Sequence, residues 1–134
     1  MTNKEIVTEF FLKGYNENDY DVVEKLLLEE YYDHSPACAR SAKDAINILK
    51  IVENMFPDMR VEIIDLIEEN NKVVGRFKFS ATHSSEYMGV KATNKKIEWE
   101  AIEIFRIENE KIVESWGYWP DAEIKEKLIK LSQE

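Results

Sequence analysis

The sequence predicts an α+β domain, in which N-terminal helices pack on a curved antiparallel sheet and a short helix follows at the C-terminal end. Two observations lead to this prediction. Apolar residues recur at helical spacing between Val7 and Phe56, whereas from Arg60 onward they alternate with polar residues at a period of two. Helices followed by a run of strands are typical of this class. The 134 residues suit one domain over 1–134, without a linker or an internal repeat.

Three helices are predicted in the first half of the chain. Each begins at a side chain suited to capping free backbone amides, namely Thr2 with Glu5, then Asp19, then Ser41. The apolar stripe of the first helix runs from Val7 to Tyr15, whose hydroxyl needs a partner if it is buried. Pro57 is expected to end the third helix.

Four strands and a last helix are predicted in the second half. Alternation and turn residues delimit the strands to 61–68, 72–83, 96–107 and 111–119. On the second strand Val73, Phe77, Phe79 and Ala81 share one face, and Arg76, Lys78, Ser80 and Thr82 share the other. We expect the first face to pack or line a pocket and the second to meet water or a partner. The last helix follows Pro120.

The composition predicts a soluble, cytoplasmic protein that binds neither nucleic acid nor membranes. A net charge of −9, from 27 acidic and 18 basic residues, repels phosphate backbones. No apolar run approaches the roughly 20 residues of a membrane helix, and the charged first residues do not form a signal peptide. The single cysteine, Cys38, cannot form an internal disulfide and favours a reducing compartment.

Six segments, in order along the chain, resemble the SnoaL-like ester-cyclase group of polyketide cyclases. They are YDHSP at 32–36, FPDMRV at 56–61, THSSEYMGV at 82–90, TNKKIEW at 93–99, IFRI at 104–107 and KIVESWG at 111–117. The resemblance implies a cystatin-like cone, also found in nuclear transport factors, with a cavity inside a curved sheet. It further implies a homodimer or higher homo-oligomer assembled through the sheet, and a small hydrophobic molecule as partner.

The resemblance also implies chemistry, because founding members of this family close polyketide rings by an aldol reaction without metal or cofactor. That reaction needs a base beside a carbonyl and a donor that stabilises the enolate. The family's acidic residue beyond the last strand matches Asp121 here, although an Asp after Pro at a helix start is also a routine cap. The family often has His where this chain has Ser115, and a hydroxyl cannot exchange protons near neutral pH as imidazole does.

Two histidines are the other catalytic candidates. His34 and His83 match positions where the family tends to have His, and either could donate a hydrogen bond to a carbonyl at the mouth of a pocket. Alternatively, His34 stabilises a turn and His83 is a half-exposed loop residue. A metal site is not expected, because no ligand spacing such as His-x-x-x-His occurs.

Glu103 and several aromatic residues are candidates for ligand binding. Alternation places Glu103 on the same face as Trp99, where aromatic surroundings would shift the pKa of its carboxyl. The interpretation we favour is a bulge near Ala101 that turns Glu103 to solvent or towards Arg76 or Arg106. The aromatic candidates for a pocket that takes a flat hydrophobic ligand are Tyr15, Phe79, Trp99 and Trp116, although such residues are more often simply core.

Two functional hypotheses therefore remain open. The first is an acid/base enzyme, namely a cyclase, isomerase or lyase that acts on a hydrophobic carbonyl compound. The second is a non-catalytic domain that binds a hydrophobic ligand or serves as a dimeric accessory domain, and Ser115 favours it. A third, a protein-interaction domain, requires an apolar outer sheet face, which the polar residues of strand 72–83 oppose.

Overall fold

The helices begin at the predicted capping residues. In the computed structural model, which describes residues 1–134, the helices are α1 (Asn3–Phe11), α2 (Tyr20–Leu26), α3 (Ala42–Met55) and α4 (Asp121–Ser132). The amide of Glu5 donates to Thr2 Oγ1 at 3.1 Å, and the amide of Asp44 donates to Ser41 Oγ at 3.0 Å. Helix α1 continues directly into a π-helical turn, Leu12–Asn16, which carries Tyr15. None of these helices is long and apolar enough to cross a membrane.

Five strands form one sheet, one strand more than the sequence predicts. They are β1 (Leu27–Asp33), β2 (Arg60–Glu69), β3 (Lys72–Thr82), β4 (Lys96–Glu108) and β5 (Lys111–Tyr118), in the order β1-β5-β4-β3-β2. Strands β2 to β5 pair antiparallel, as predicted, whereas β1 pairs parallel to β5. The sequence does not reveal β1, because its register is interrupted between Leu27 and Tyr32 and its apolar residues do not alternate regularly.

The helices cover one face of the sheet, here called the inner face. Val73, Phe77, Phe79 and Ala81 of β3 are fully buried on it, which confirms the predicted division of that strand into two faces. Phe11 of α1 stacks on Phe77, with ring centroids 3.8 Å apart. The inner face therefore forms the core of the domain.

Close packing of Phe77 depends on Gly75, its neighbour on the same face of β3. A Cβ atom at Gly75 would lie 2.1 Å from the Phe77 ring, so a Gly75→Ala variant must displace that ring from Phe11. We expect a loss of about 1–3 kcal/mol in the free energy of unfolding, measured by urea denaturation. Gly14→Ala is the control, because its Cβ would make only ordinary contacts, from 3.4 Å outward. Equal stability of Gly75→Ala and the wild-type protein would contradict this packing.

Candidate functional site

Glu103 points from β4 into the inner face of the sheet. The pairing of β3 with β4 is unbroken from Lys96 to Arg106, so strict alternation places Glu103 with Trp99 and Phe105. The bulge that we favoured near Ala101 is therefore wrong. The only irregularity in the pairing of β4 lies farther on, between Arg106 and Ile107 of the β4–β5 ladder.

Both arginines considered as partners of Glu103 bind other carboxylates. Arg76 contacts Asp65 and Glu100, at 2.8 and 3.0 Å, on the opposite face of the sheet. Arg106 contacts Glu108 and Glu114 on that same face, at 2.6 and 2.8 Å. Because neither cation faces inward, the charge of Glu103 is not neutralised by an ion pair.

Glycines stand next to Glu103 on both neighbouring strands. The register pairs Glu103 with Gly75 of β3 and with Gly117 of β5. The Phe77 ring fills the space above Gly75. Above Gly117, a Cβ atom would lie 3.3 Å from Glu103 Oε1 and 3.5 Å from Ser35 Cβ, so the missing side chain leaves the carboxyl free on that side.

The carboxyl of Glu103 accepts one hydrogen bond, from Trp119. The indole Nε1 of Trp119 donates to Glu103 Oε2 at 3.1 Å. The pKa of Glu103 is raised from 4.5 to about 7, mainly by burial; the hydrogen bond from Trp119 lowers it and the charge of Asp33 raises it, both by less than burial does. A carboxyl with such a pKa can both accept and return a proton near neutral pH.

Tyr15 brings a hydroxyl donor close to this carboxyl. Its ring stacks on Phe11 at 5.7 Å and meets the edge of Phe79 at 5.5 Å. Burial raises the pKa of Tyr15 well above 10, and the charge of Glu103 adds to the effect. The hydroxyl therefore stays protonated at neutral pH and remains a donor.

Aromatic rings enclose the same region. Phe79 stacks on Trp99 at 5.6 Å, and Trp119 contacts both rings, with centroids 4.8 Å from Phe79 and 5.3 Å from Trp99. The indole Nε1 of Trp99 is buried and has no hydrogen-bond partner. Thus Tyr15, Phe79, Trp99 and Glu103, four of the five residues predicted to bind a ligand, converge on the inner face.

Ser115 belongs to a separate polar cluster on the same face. Its hydroxyl is hydrogen-bonded to the Tyr31 hydroxyl and also donates to Asp33 Oδ1 at 3.3 Å. Asp33 in turn accepts bonds from the amide and the hydroxyl of Ser35, at 2.9 and 2.6 Å. Asp33 was not among the predicted site residues, because it ends strand β1, which the sequence does not reveal.

The fifth residue predicted to bind a ligand, Trp116, lies on the outer face of the sheet. Inner and outer positions alternate on β5, so Ser115 and Gly117 face inward while Trp116 faces outward. His34 stacks on Trp116, with parallel rings 4.8 Å apart, and its Nε2 contacts Glu114 at 2.6 Å. The expectation that His34 and Trp116 share a pocket with Glu103 is therefore corrected, since the sheet separates them.

His83 is fully buried rather than half exposed in a loop. Its backbone continues the β3–β4 hairpin, donating to the Lys95 carbonyl and accepting from the Asn94 amide, at 2.9 and 2.8 Å. The ring Nδ1 accepts a hydrogen bond from the Thr93 amide at 3.1 Å, whereas Nε2 has no partner. Burial lowers the pKa of His83, which favours the neutral ring.

Asp121 lies on the surface. It is the first residue of α4, in the turn where an acidic side chain complements the helix dipole, and its side chain is exposed. It does not act as the cap itself, because Pro120 holds that position. The structure thus places Asp121 at the solvent-exposed start of α4, where its charge acts on the half-buried Tyr87, and moves the acid/base candidate to Glu103.

Two clefts open elsewhere on the surface. One, of about 610 Å³, lies between residues 89–95 and the C-terminal end of α4, and includes Lys95 and Leu131. The other, of about 420 Å³, lies beside Ile102 and Tyr118 on the outer face. No group of three or more His, Cys, Asp or Glu side chains gathers in a way that could hold a metal ion.

Comparison with known families matches almost the whole chain. The family model described as SnoaL-like polyketide cyclase matches residues 5–128. Comparison with curated proteins gives no significant match.

Solved structures share the fold at low sequence identity. TsrD from Streptomyces laurentii is 25% identical, with a TM-score of 0.85 and 94% of each chain covered. IdmH from Streptomyces antibioticus is 21% identical, with a TM-score of 0.85 and coverage of 96% of this chain and 99% of its own. A SnoaL-like polyketide cyclase from Agrobacterium tumefaciens is 17% identical, with a TM-score of 0.83 and coverage of 96% and 98%. This similarity confirms the cone fold.

Proposed function

Because the chain belongs to the SnoaL-like polyketide cyclase family, we propose that it is a cofactor-independent acid/base enzyme. Its substrate is a small hydrophobic carbonyl compound, and its reaction is an aldol cyclisation, an isomerisation or a lyase step. The observation that carries this proposal is Glu103, a carboxyl with a pKa of about 7 among aromatic rings. Family membership alone does not specify the reaction, so the argument depends on this site.

In the proposed reaction, ionised Glu103 removes a proton from the carbon beside the substrate carbonyl. The pair of electrons left by the proton moves onto the carbonyl oxygen and forms an enolate. The Tyr15 hydroxyl, which stays protonated at neutral pH, donates a hydrogen bond to that oxygen. Protonated Glu103 then returns the proton to the product, so the carboxyl ends in its starting state.

The proposed binding pocket lies between the π-helical turn and the inner face of the sheet. Tyr15, Glu103 and Trp119 are each half-buried, so part of each side chain stays accessible to a ligand. Phe79 and Trp99 are buried behind these residues, and the partly exposed rings of Tyr15 and Trp119 are the ones that would contact a flat hydrophobic ligand.

A test of this proposal needs no knowledge of the natural substrate. The ketone 2-tetralone is flat and apolar and has acidic protons beside its carbonyl, so exchange of these protons for deuterium in D₂O reports the proposed first step. We expect the wild-type protein to accelerate this exchange, measured by ¹H NMR, above the buffer rate. A ketone that is bound but recovered without exchange would instead support the alternative function, a hydrophobic-ligand-binding or accessory domain. Ser115 in place of the family's His favours that alternative.

We further propose a homodimer that forms through the outer face of the sheet, and a cytoplasmic location, which the free thiol of Cys38 supports. An apolar row crosses the outer face, since the register aligns Ile67, Val74, Ile104 and Trp116. Ile67 is 64% exposed, and nearby Tyr118 is 65% exposed. The polar residues of β3 that argued against an apolar outer face begin directly beyond Val74, so the apolar row is confined to one end of that face. Clustered apolar exposure of this kind is typical of interaction surfaces.

Ile104→Lys is expected to disrupt the dimer, because it places a charge in the middle of the apolar row. Light scattering after gel filtration should give twice 15.8 kDa for the wild-type protein and 15.8 kDa for the variant. Thr82→Lys, at the polar end of the same sheet, is the control and should leave the dimer intact. A monomeric wild-type protein would contradict the proposed assembly.

A further inference from the structure

Three hydrogen-bond donors converge on the carboxylate of Asp33. Its Oδ1 accepts from the Ser35 amide at 2.9 Å and from the Ser115 hydroxyl at 3.3 Å, and its Oδ2 accepts from the Ser35 hydroxyl at 2.6 Å. Hydrogen bonds to the charged form of a carboxylate stabilise its negative charge. Glu103, by contrast, accepts a single bond, from Trp119. Of the two carboxyls on the inner face, Asp33 therefore has three hydrogen bonds that stabilise a negative charge and Glu103 has one.

Ser35 connects the two carboxyls. Its Cβ atom and Glu103 Oε1 both lie within 3.5 Å of the position that a Cβ atom of Gly117 would occupy. The same Ser35 side chain donates to Asp33. A negative charge on Asp33 thus acts on Glu103 across a glycine that adds no side chain between them.

The other ionisable groups around the pair are three tyrosines and one arginine. Burial raises the pKa of the hydroxyl in Tyr15, Tyr31 and Tyr87, so all three stay neutral at pH 7. Arg40 donates to the backbone carbonyl of Asp33 at 2.8 Å and is exposed. Because no cation contacts either carboxylate group, like-charge repulsion between the two is uncompensated.

We propose that Asp33 is a positioning residue of the proposed enzyme, whose carboxylate charge, held by its three donors, raises the proton affinity of the Glu103 carboxyl across Gly117. This inference rests on the proposed function. In it, the polar cluster of Tyr31, Ser35 and Ser115 holds the Asp33 carboxylate in place. That cluster fixes the charge which sets the proton affinity of Glu103.

The test is a pH titration of carboxyl resonances by ¹³C NMR, between pH 4 and 9, on the intact protein. Spectra of glutamate-labelled protein identify Glu103 by its loss in Glu103→Gln. The Glu103 midpoint should move to lower pH in Asp33→Asn, which removes the repelling charge. It should move to higher pH in Trp119→Phe, which removes the stabilising hydrogen bond. Asp65→Asn makes the same chemical change on the outer face and should leave the midpoint unchanged.

A Glu103 midpoint that is unchanged or higher in folded Asp33→Asn would overturn the inference. If that variant does not fold, Asp33→Ser, which also removes the charge, takes its place. The Glu103 midpoint must again move to lower pH, and an unchanged midpoint would overturn the inference. This titration uses no substrate, so absence of 2-tetralone exchange would count against the proposed function and would leave standing only the effect of Asp33 on the proton affinity of Glu103.

Discussion

Glu103→Gln is expected to lower the rate of 2-tetralone exchange by about 10²–10⁴-fold, the usual contribution of a positioned acid/base group. The amide matches the carboxyl in shape, and its oxygen can still accept the hydrogen bond from Trp119 Nε1. It cannot take up a proton at neutral pH, so the variant separates chemistry from packing. The measurement is the initial rate of deuterium incorporation at saturating ketone, followed by ¹H NMR.

Asp121→Asn is the matched control for this experiment. It makes the same change from carboxyl to amide at the exposed residue that the family resemblance marks as the acid/base. Because Asp121 lies outside the aromatic interior, we expect its rate to stay within about 3-fold of wild type. Loss of exchange in Asp121→Asn together with full exchange in Glu103→Gln would reverse our assignment of the base.

The stability of the protein should fall as pH rises from about 4.5 to about 7. In this window the unfolded chain releases the proton of Glu103, whose ordinary pKa is 4.5, whereas the native state with a pKa of about 7 retains it. The unfolded state therefore binds fewer protons, and the free energy of unfolding decreases by about 3 kcal/mol across the window. Below 4.5 both states are protonated and above about 7 both are ionised, so this effect is confined to that range.

Urea denaturation at pH 5 and pH 8 measures this effect. Glu103→Gln has no proton to lose and should not show the decline, so it should be more stable than wild type at pH 8. Asp65→Asn, on the outer surface, controls for general loss of negative charge. If the free energy of unfolding changes with pH in the same way in wild-type protein and in Glu103→Gln, ionisation of Glu103 does not destabilise the native state, which would contradict this prediction.

The sequence was sufficient to predict most of the fold, because local signals determine most of it. Caps at Thr2, Asp19 and Ser41 define the helix starts, and alternation defines the two faces of β3. Strand β1 was missed for a physical reason. Because β1 pairs with the parallel strand β5, no hairpin turn next to it marks it in the sequence. Its register is interrupted between Leu27 and Tyr32, so its apolar and polar residues do not alternate.

The candidate site was less predictable, since it depends on which faces meet in three dimensions. Alternation alone placed Glu103 on the aromatic face, but a buried, unpaired acid is rare enough that a bulge was the more plausible interpretation. Two glycines could have identified Glu103 as a site residue. Gly75 and Gly117 each interrupt the run of side chains in their strand, and the register places them on either side of Glu103. Glycine inside a strand commonly marks room for another group.

Family resemblance directed attention to residues that the fold places elsewhere. His34 and Trp116 fit the expected motifs, but the parity of β5 puts them outside the sheet. Asp121 fits the expected position but begins a helix in solvent. Motif position alone does not determine which way a side chain points, and one residue of shift in a strand reverses its face.

The pH dependence of 2-tetralone exchange tests most directly whether Glu103 is the acid/base group of this protein. The ratio kcat/KM, corrected for buffer-catalysed exchange, should be measured from pH 5 to pH 9. We predict that it rises with pH to a plateau with a midpoint of about 7, because ionised Glu103 is the base. A profile that is flat over this range, or one whose midpoint lies near the ordinary 4.5 of an exposed glutamate, would contradict the account.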